Sequence, residues 1–222
     1  MKRLTSIVAL NKEGAIGCHN GLPWRLKTDL RFFRNQTIGQ VVIMGRKTLD
    51  SMGQPLPNRH NVVLSHNNVL FVKTENSEVA TSISEALVIS DRRKEDEVFV
   101  VGGASTYKQF SPLVDRYLIT IVDKEVPDAD AFFDQSIFSI ESDWEWKRLD
   151  EVRYDPDQDE VPFQTFEMLH KRPHEVATAR NRLISDYESR FLNRSGKARR
   201  GGNGSNIKSV SPLFGFAKLK AG

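Results

Sequence analysis

Asp29 stands in the stretch Thr28–Thr37 (TDLRFFRNQT), where Leu30 and Phe33 are its apolar neighbours at helical spacing. Residues i and i+4 share a helix face, so Asp29 lies over Phe33, and Leu30 widens the stripe. A carboxylate among apolar side chains is costly to bury without a partner. A flat ligand offering an amino group and a ring N–H would satisfy both of its oxygens. The plainer account is an acid in a first helical turn, favoured by the helix dipole. Asp29 taken alone leaves both accounts open.

Three further groupings carry chemistry. Val42–Thr48 (VIMGRKT) runs from a buried strand into a helix start bearing two cations and a hydroxyl. Free N–H groups at a helix N-terminus, helped by Arg46 and Lys47, bind phosphate, although a solvated basic turn has the same composition. Val98–Tyr107 (VFVVGGASTY) ends a strand in Gly102-Gly103, where backbone can approach a pyrophosphate closely, or can simply turn. It is neither a GxGxxG nor a GxxxxGK[ST] pattern, so the two commonest nucleotide motifs lose support. Pro55–Arg59 (PLPNR) is a stiff segment that could hold Arg59 over a cleft to pair with a carboxylate, or leave it in solvent.

Short apolar runs alternate with helical stretches and position these groups. Strands are expected at 4–10, 41–44, 60–64, 69–72, 97–101 and 117–122, with helices at 28–37, 45–52, 82–90 and 104–110. Residues 11–25, with Gly14, Gly17, Gly21 and Pro23, read as a long loop without regular structure, of the kind that is usually functional. Stretches 144–154 and 163–169 read as a closing antiparallel pair. Strands joined by single helices imply parallel crossovers and an α/β sheet covered on both faces.

Composition separates two regions. Residues 1–170 hold 20 Lys and Arg against 26 Asp and Glu, a net −6, whereas 171–222 hold 12 against 3, a net +9. The overall +3 therefore describes neither part and is poor support for nucleic-acid binding by the whole chain. Cys18 is the only cysteine, which excludes an internal disulfide and CxxC metal clusters. Cys18 and His19 have no third ligand nearby and read as incidental. No apolar run is long enough to span a bilayer, and the first residues lack a signal-peptide pattern, so a cytoplasmic location is expected.

In order and spacing these segments resemble the dihydrofolate reductase family. The resemblance runs from Leu4 to Leu169 through LPW at 22–24, Asp29, Phe33, VIMGRKT at 42–48, PLPNR at 55–59, VVGGASTY at 100–107, Thr120, DAFF at 130–133 and FQTFEML at 163–169. It implies a mixed, mostly parallel central sheet of about eight strands with helices on both faces. It implies NADPH-dependent reduction of 7,8-dihydrofolate to tetrahydrofolate, with hydride delivered to C6 and a proton to N5, supporting one-carbon metabolism.

The resemblance gives catalytic parts to Asp29, Leu22, Trp24 and Thr120. Asp29 would bind the pterin amino group and N3, Thr120 would link to it through water, and the N5 proton would arrive by way of water. Thr5, Ala9, Leu30, Phe33, Met52, Leu56 and Val101 would join them against substrate, and Arg59 would grip the glutamate α-carboxylate. For NADPH, the resemblance implies Ala9, Ile16, Gly17 and Val101 near the nicotinamide, Leu22 in a loop that closes over it, and Asn20 and Gly21 among the cofactor-binding residues. Arg46, Lys47, Thr48, Ser65 and His66 would hold phosphates, with Gly45 and Leu64 also in the cofactor site. Gly102, Gly103, Ala104, Ser105, Thr106 and Tyr107 would lie along the pyrophosphate, with a cis peptide between Gly102 and Gly103. No metal is implied. Ala104, Ser105 and Ala131-Phe132-Phe133 depart from the usual family residues, which bears on cofactor affinity and antifolate response.

The expected organisation is a reductase domain at 1–170 and a basic extension at 171–222. The extension would hold a helix at 174–192, with Val176, Leu183, Tyr187 and Phe191 on one face, then a flexible Gly-rich tail. It reads as a solvated appendage whose removal after Arg172 leaves turnover intact, or as an arm for nucleic acid or a protein partner. A monomer that binds dihydrofolate and antifolates, with no membrane association, is expected. Two alternatives remain at this point: a reductase of the same fold acting on a pyrimidine of riboflavin synthesis, and a binding protein that keeps the fold without the chemistry.

Overall fold

The computed structural model describes residues 2–66, 76–139 and 143–200. Its strands are β1 (Arg3–Asn11), β2 (Ala15–Gly17), β3 (Val41–Gly45), β4 (His60–Leu64), β5 (Ser77–Ala80), β6 (Glu97–Val100), β7 (Arg116–Val122), β8 (Ala131–Phe132), β9 (Trp144–Arg148) and β10 (Phe163–His170). Its α-helices are α1 (Lys27–Thr37), α2 (Arg46–Met52), α3 (Ile83–Asp91), α4 (Ala104–Phe110) and α5 (Pro173–Arg200).

Eight strands form one sheet in the order β5-β4-β3-β6-β1-β7-β10-β9. All pairs from β5 to β7 are parallel, and β10 pairs antiparallel with both β7 and β9. The mixed, mostly parallel sheet expected from the sequence is thus present.

Alternation along each strand sorts the core into two layers, because successive side chains point to opposite faces. Leu4, Val8, Val41, Ile43, Val98 and Val100 face Ala86 and Leu87 of α3 and Tyr107 and Phe110 of α4. Ile7, Val42, Met44, Val63 and Phe99 face Leu49 of α2 and Phe32 and Phe33 of α1. Helices therefore cover both faces.

Four local expectations change. Residues 11–25 are not irregular throughout: β2 pairs with β8, and Cys18 and Gly21 exchange backbone hydrogen bonds at 3.0 and 2.9 Å. His19 and Asn20 between them have φ of 49° and 60°, the left-handed pair that a tight two-residue hairpin requires. β5 at Ser77–Ala80 carries no strong β pattern of its own and is held by pairing with β4. The strand expected at 69–72 lies outside the described residues. β9 is half the expected length, since the chain turns after Arg148.

The fourth change concerns the extension. A compact unit runs through Glu188, so the first turns of α5 belong to it. Val176 is 6% exposed and Arg180 4%. The Arg180 guanidinium pairs with Asp115 at 2.8 Å and also donates to the carbonyls of Leu113 and Lys2. Asp115 in turn accepts from the Leu4 amide at 2.8 Å, so one buried ion pair ties α5 to the starts of β1 and β7. In the second unit, which begins at Ser189, the backbone is helical to Arg200, eight residues past the expected end. The remaining tail expectation lies outside the described residues. Among those residues no helix is long and apolar enough to cross a membrane.

Candidate active site

A cleft of about 1640 Å³ opens at the carboxyl ends of the parallel strands, where open α/β sheets bind ligands. Ala9, Gly45, Leu64, Val101 and Thr120 bring the ends of five strands to its wall.

At one end α1 presents Asp29. The α1 N-terminus is fixed by the carboxylate of Asp159, which accepts from the Thr28 amide at 2.9 Å. The Asp29 carboxylate is half-buried between Leu30 and Phe33 and accepts a 2.6 Å hydrogen bond from the Thr120 hydroxyl. Thr165 on β10 stands 3.2 Å from Thr120 and steadies it. Burial pushes the Asp29 pKa from 3.8 up to about 6; the Thr120 hydroxyl opposes the shift and the charge of Asp159 adds to it. Asp29 is thus a carboxyl group poised to exchange a proton near neutrality and facing an apolar slot. Leu22, Leu30 and Met52 on this wall are 59%, 47% and 37% exposed, apolar surface suited to a ring system.

At the other end two helix starts meet. The residues at which α2 and α4 begin, Gly45 and Gly103, make no side-chain cap, so the first amides of each helix lack a side-chain acceptor. Arg46, Lys47 and Thr48 follow on α2, and Ser65 and His66 flank them after β4. This donor set suits phosphate groups, so a phosphorylated dinucleotide fits the residues present. Gly102 has φ 122°, its peptide to Gly103 is cis, and its carbonyl accepts from Gly45 at 2.7 Å. A Cβ at Gly45 would lie 2.8 Å from the Thr106 hydroxyl, so only glycine lets the two turns meet.

The hairpin of residues 18–21 forms the lip between the two ends. Asp130 fastens it, donating its amide to the Gly17 carbonyl at 3.2 Å and accepting the His19 amide on its carboxylate at 3.0 Å. The Tyr107 hydroxyl donates to the Ile7 carbonyl at 2.8 Å beneath the cleft, and burial raises its pKa beyond the ordinary tyrosine range.

Most residues singled out from the sequence line this cleft. Those on the strand ends and α1 side are Ala9, Ile16, Gly17, Asn20, Gly21, Leu22, Asp29, Leu30, Phe33, Met52, Leu56 and Thr120. Those on the other side are Gly45, Arg46, Lys47, Thr48, Leu64, Ser65, His66 and Val101 through Tyr107.

Three do not. Thr5 is fully buried near the opposite end of β1, where its hydroxyl donates to Glu97. A strand rises roughly 3.3 Å per residue, so Thr5 lies far below Ala9. Ile7 and Val8 line the cleft in its stead. Trp24 is 6% exposed and packs into the core layer beneath the lip. Arg59 is also buried, outside the cleft wall, but its guanidinium lies 5.8 Å over the ring of Phe33, which is part of that wall. It donates to Thr37 Oγ1 at 2.8 Å and to the carbonyls of Pro57 and Arg34 at 2.7 and 3.4 Å, and no carboxylate among the described residues pairs with it.

Sequence reasoning missed Ser51, Thr81 to Ser84, Gln109, Asp130 and Leu183, which also line the cleft. Only Asp130, inside the quoted DAFF segment, carried a usable signal. Ser51, Thr81 to Ser84 and Gln109 are brought in by the crossover segments and Leu183 by α5.

A buried acid in an apolar slot, joined by one cleft to a double phosphate cradle at strand carboxyl ends, defines a nucleotide-dependent α/β reductase. The model of the family described as dihydrofolate reductase matches residues 3–171. A dihydrofolate reductase of Haemophilus influenzae is 40% identical over 153 residues, 67% of this chain and 91% of the relative. One from Staphylococcus haemolyticus is 36% identical over 131 residues, 59% and 76% of the two chains. The solved dihydrofolate reductase from Enterococcus faecalis, complexed with NADP(H) and RAB-propyl, has a TM-score of 0.62 at 29% identity, covering 76% of this chain and 96% of that one. The chain belongs to the dihydrofolate reductase family and is an enzyme.

Proposed function

We propose that the cleft performs NADPH-dependent reduction of 7,8-dihydrofolate to 5,6,7,8-tetrahydrofolate, with Asp29 as its acid–base centre. The observation that carries this reading is Asp29 itself, half-buried, held by Thr120 and shifted to a pKa of about 6. NADPH, when bound, supplies the hydride for C6. Asp29 accepts the pterin amino group and N3 and favours the protonated pterin, while water brings the proton to N5. Leu30, Phe33, Met52 and Leu56 pack the rings. Leu22, on the lip fastened by Asp130, excludes water from the nicotinamide end. Arg46, Lys47, Thr48, Ser65 and His66 hold phosphates, helped by the α2 and α4 amides.

Arg59 separates this substrate from a tail-less pyrimidine. Five N–H donors serve a guanidinium, and internal contacts account for three. The remaining donors suit the glutamate α-carboxylate. Arg59→Gln should raise KM for dihydrofolate roughly tenfold or more, the scale of one charged hydrogen bond, with kcat nearly unchanged. KM for a dihydropterin without the glutamate tail should not move. An equal rise for both substrates would remove Arg59 from tail recognition.

The primary test is NADPH oxidation by the purified chain with dihydrofolate, set beside a pyrimidine substrate of riboflavin synthesis. Absence of turnover with dihydrofolate would sink the reading. The reading extends to a cytoplasmic monomer sensitive to dihydrofolate analogues, the single cysteine suiting a reducing location. Residues 1–170 then serve as the reductase proper and 171–222 as an extension, in keeping with a family match that ends at 171. The basic charge beyond Arg172 suits a nucleic-acid or protein contact as a secondary role.

A further inference from the structure

We infer that α5, which lies beyond the residues matched to the family, supplies part of the cofactor site, with Leu183 as an apolar wall at its adenosine end. The inference rests on NADPH as the cofactor.

Two contacts fix α5 across the groove between α3 and α4. Arg180 pairs with Asp115 and bonds the Leu113 carbonyl, just past the end of α4. Glu188, two turns on, lies 3.0 Å from Arg92, just past the end of α3. The latter pair is exposed and adds little energy, but it fixes the course of the helix. Leu183 falls between these points. With Ile184 it packs on the core layer that holds Ala86 and Leu87 of α3 and Tyr107 and Phe110 of α4. It also lines the cleft, as do Ile83 and Gln109 at the facing edges of α3 and α4.

The cleft has a direction. The hydride must be delivered beside Asp29, and the phosphate donors stand at the starts of α2 and α4. A dinucleotide running from the first through the second carries its adenosine beyond them, toward Ile83 and Gln109. A purine face prefers aliphatic and aromatic contacts with few polar groups, and Ile83 with Leu183 provides an aliphatic pair there. An enzyme ending at residue 171 would leave that side of the groove open to solvent.

The test uses the full chain and reads binding directly. Wild type, Leu183→Val and Leu183→Ala are titrated by calorimetry with NADPH, with 2′,5′-ADP as the adenosine half, and with reduced nicotinamide mononucleotide as the other half. Affinity for NADPH and 2′,5′-ADP should fall in graded steps, roughly three- to tenfold at Ala, while the mononucleotide is unaffected. The KM for NADPH should rise in parallel with kcat constant. Val176→Ala, on the same helix and away from the cleft, should lower Tm and leave all three affinities alone. Unchanged 2′,5′-ADP affinity in both Leu183 variants, or a loss shared by the mononucleotide, overturns the inference while leaving the reductase reading intact. A wild-type chain that binds no NADPH overturns both.

Discussion

Replacing Asp29 by Asn should lower turnover at neutral pH roughly 100- to 10,000-fold, the range a positioned acid–base group supplies. The amide keeps the shape and can still contact the pterin, but it carries no charge to favour the protonated substrate. The loss should shrink as pH falls, because dihydrofolate then takes its proton from solvent. In the wild type the rate should decline as pH rises through the apparent pKa of the Asp29–pterin pair, starting from about 6 in the free enzyme. Steady-state kinetics across pH checks this, and an Asn variant with the wild-type profile would remove Asp29 from its role.

Stability should move the opposite way. The folded-state pKa of Asp29 lies above its ordinary value, so the folded protein holds the proton more tightly than the unfolded chain. The favourable contribution is complete below pH 3.8 and is lost as pH rises through about 6. Above that pH the buried charge costs at most roughly 3 kcal/mol, less after allowance for the partial exposure of the group. Asp29→Asn removes that cost while keeping the Thr120 contact, so Tm of the variant should equal or exceed that of wild type at pH 8, and the gain should vanish at pH 4. An enzyme inactivated yet stabilised by one substitution is the pattern expected where a site holds strain for its chemistry.

Deletion after Arg172 carries the second large effect. A merely solvated extension would make this change silent. The buried pair of Arg180 with Asp115 makes it costly, because Asp115, at the amino ends of the central strands β1 and β7, is left with only the Leu4 amide. Breaking a buried ion pair from one side costs roughly 3–5 kcal/mol, and the loss of Val176 and Leu183 adds exposed apolar surface. For a chain of this size the melting temperature should fall by roughly 10 °C or more. Thermal unfolding measures it directly. A truncated protein with the Tm of the full chain would show that α5 adds no stability. Arg180→Met in the full chain supplies the companion measurement, removing the cation while keeping the helix.

Much of the fold was legible because its signals are local. The strands at Leu4, Val41, His60 and Tyr117 are short β-branched runs between polar residues, and Ser82 caps α3 by accepting the Glu85 amide at 3.1 Å. The lip was misread as irregular because its hairpin is closed by His19 and Asn20 in left-handed conformations, and β2 has three residues that pair only with β8, more than a hundred positions away. β5 was missed for a related reason: Ser77–Ala80 is a strand because β4 lies beside it.

The sequence by itself determined the family of chemistry, because Asp29, the basic turn at Arg46 and the paired glycines stand among motifs whose order resembles that of dihydrofolate reductases. Through that resemblance it also placed most of the cleft lining. Tertiary structure alone decided the rest. It put Thr5 at the wrong end of its strand, which only register and rise could reveal. It raised Asp29 to a pKa of about 6, which depends on burial and on Thr120, distant in the chain. And it turned Arg180, one cation among twelve in a basic extension, into a buried structural ion and brought Leu183 to the cleft. Charge and periodicity describe a helix face, but what that face meets is set by the long-range packing of α3 and α4.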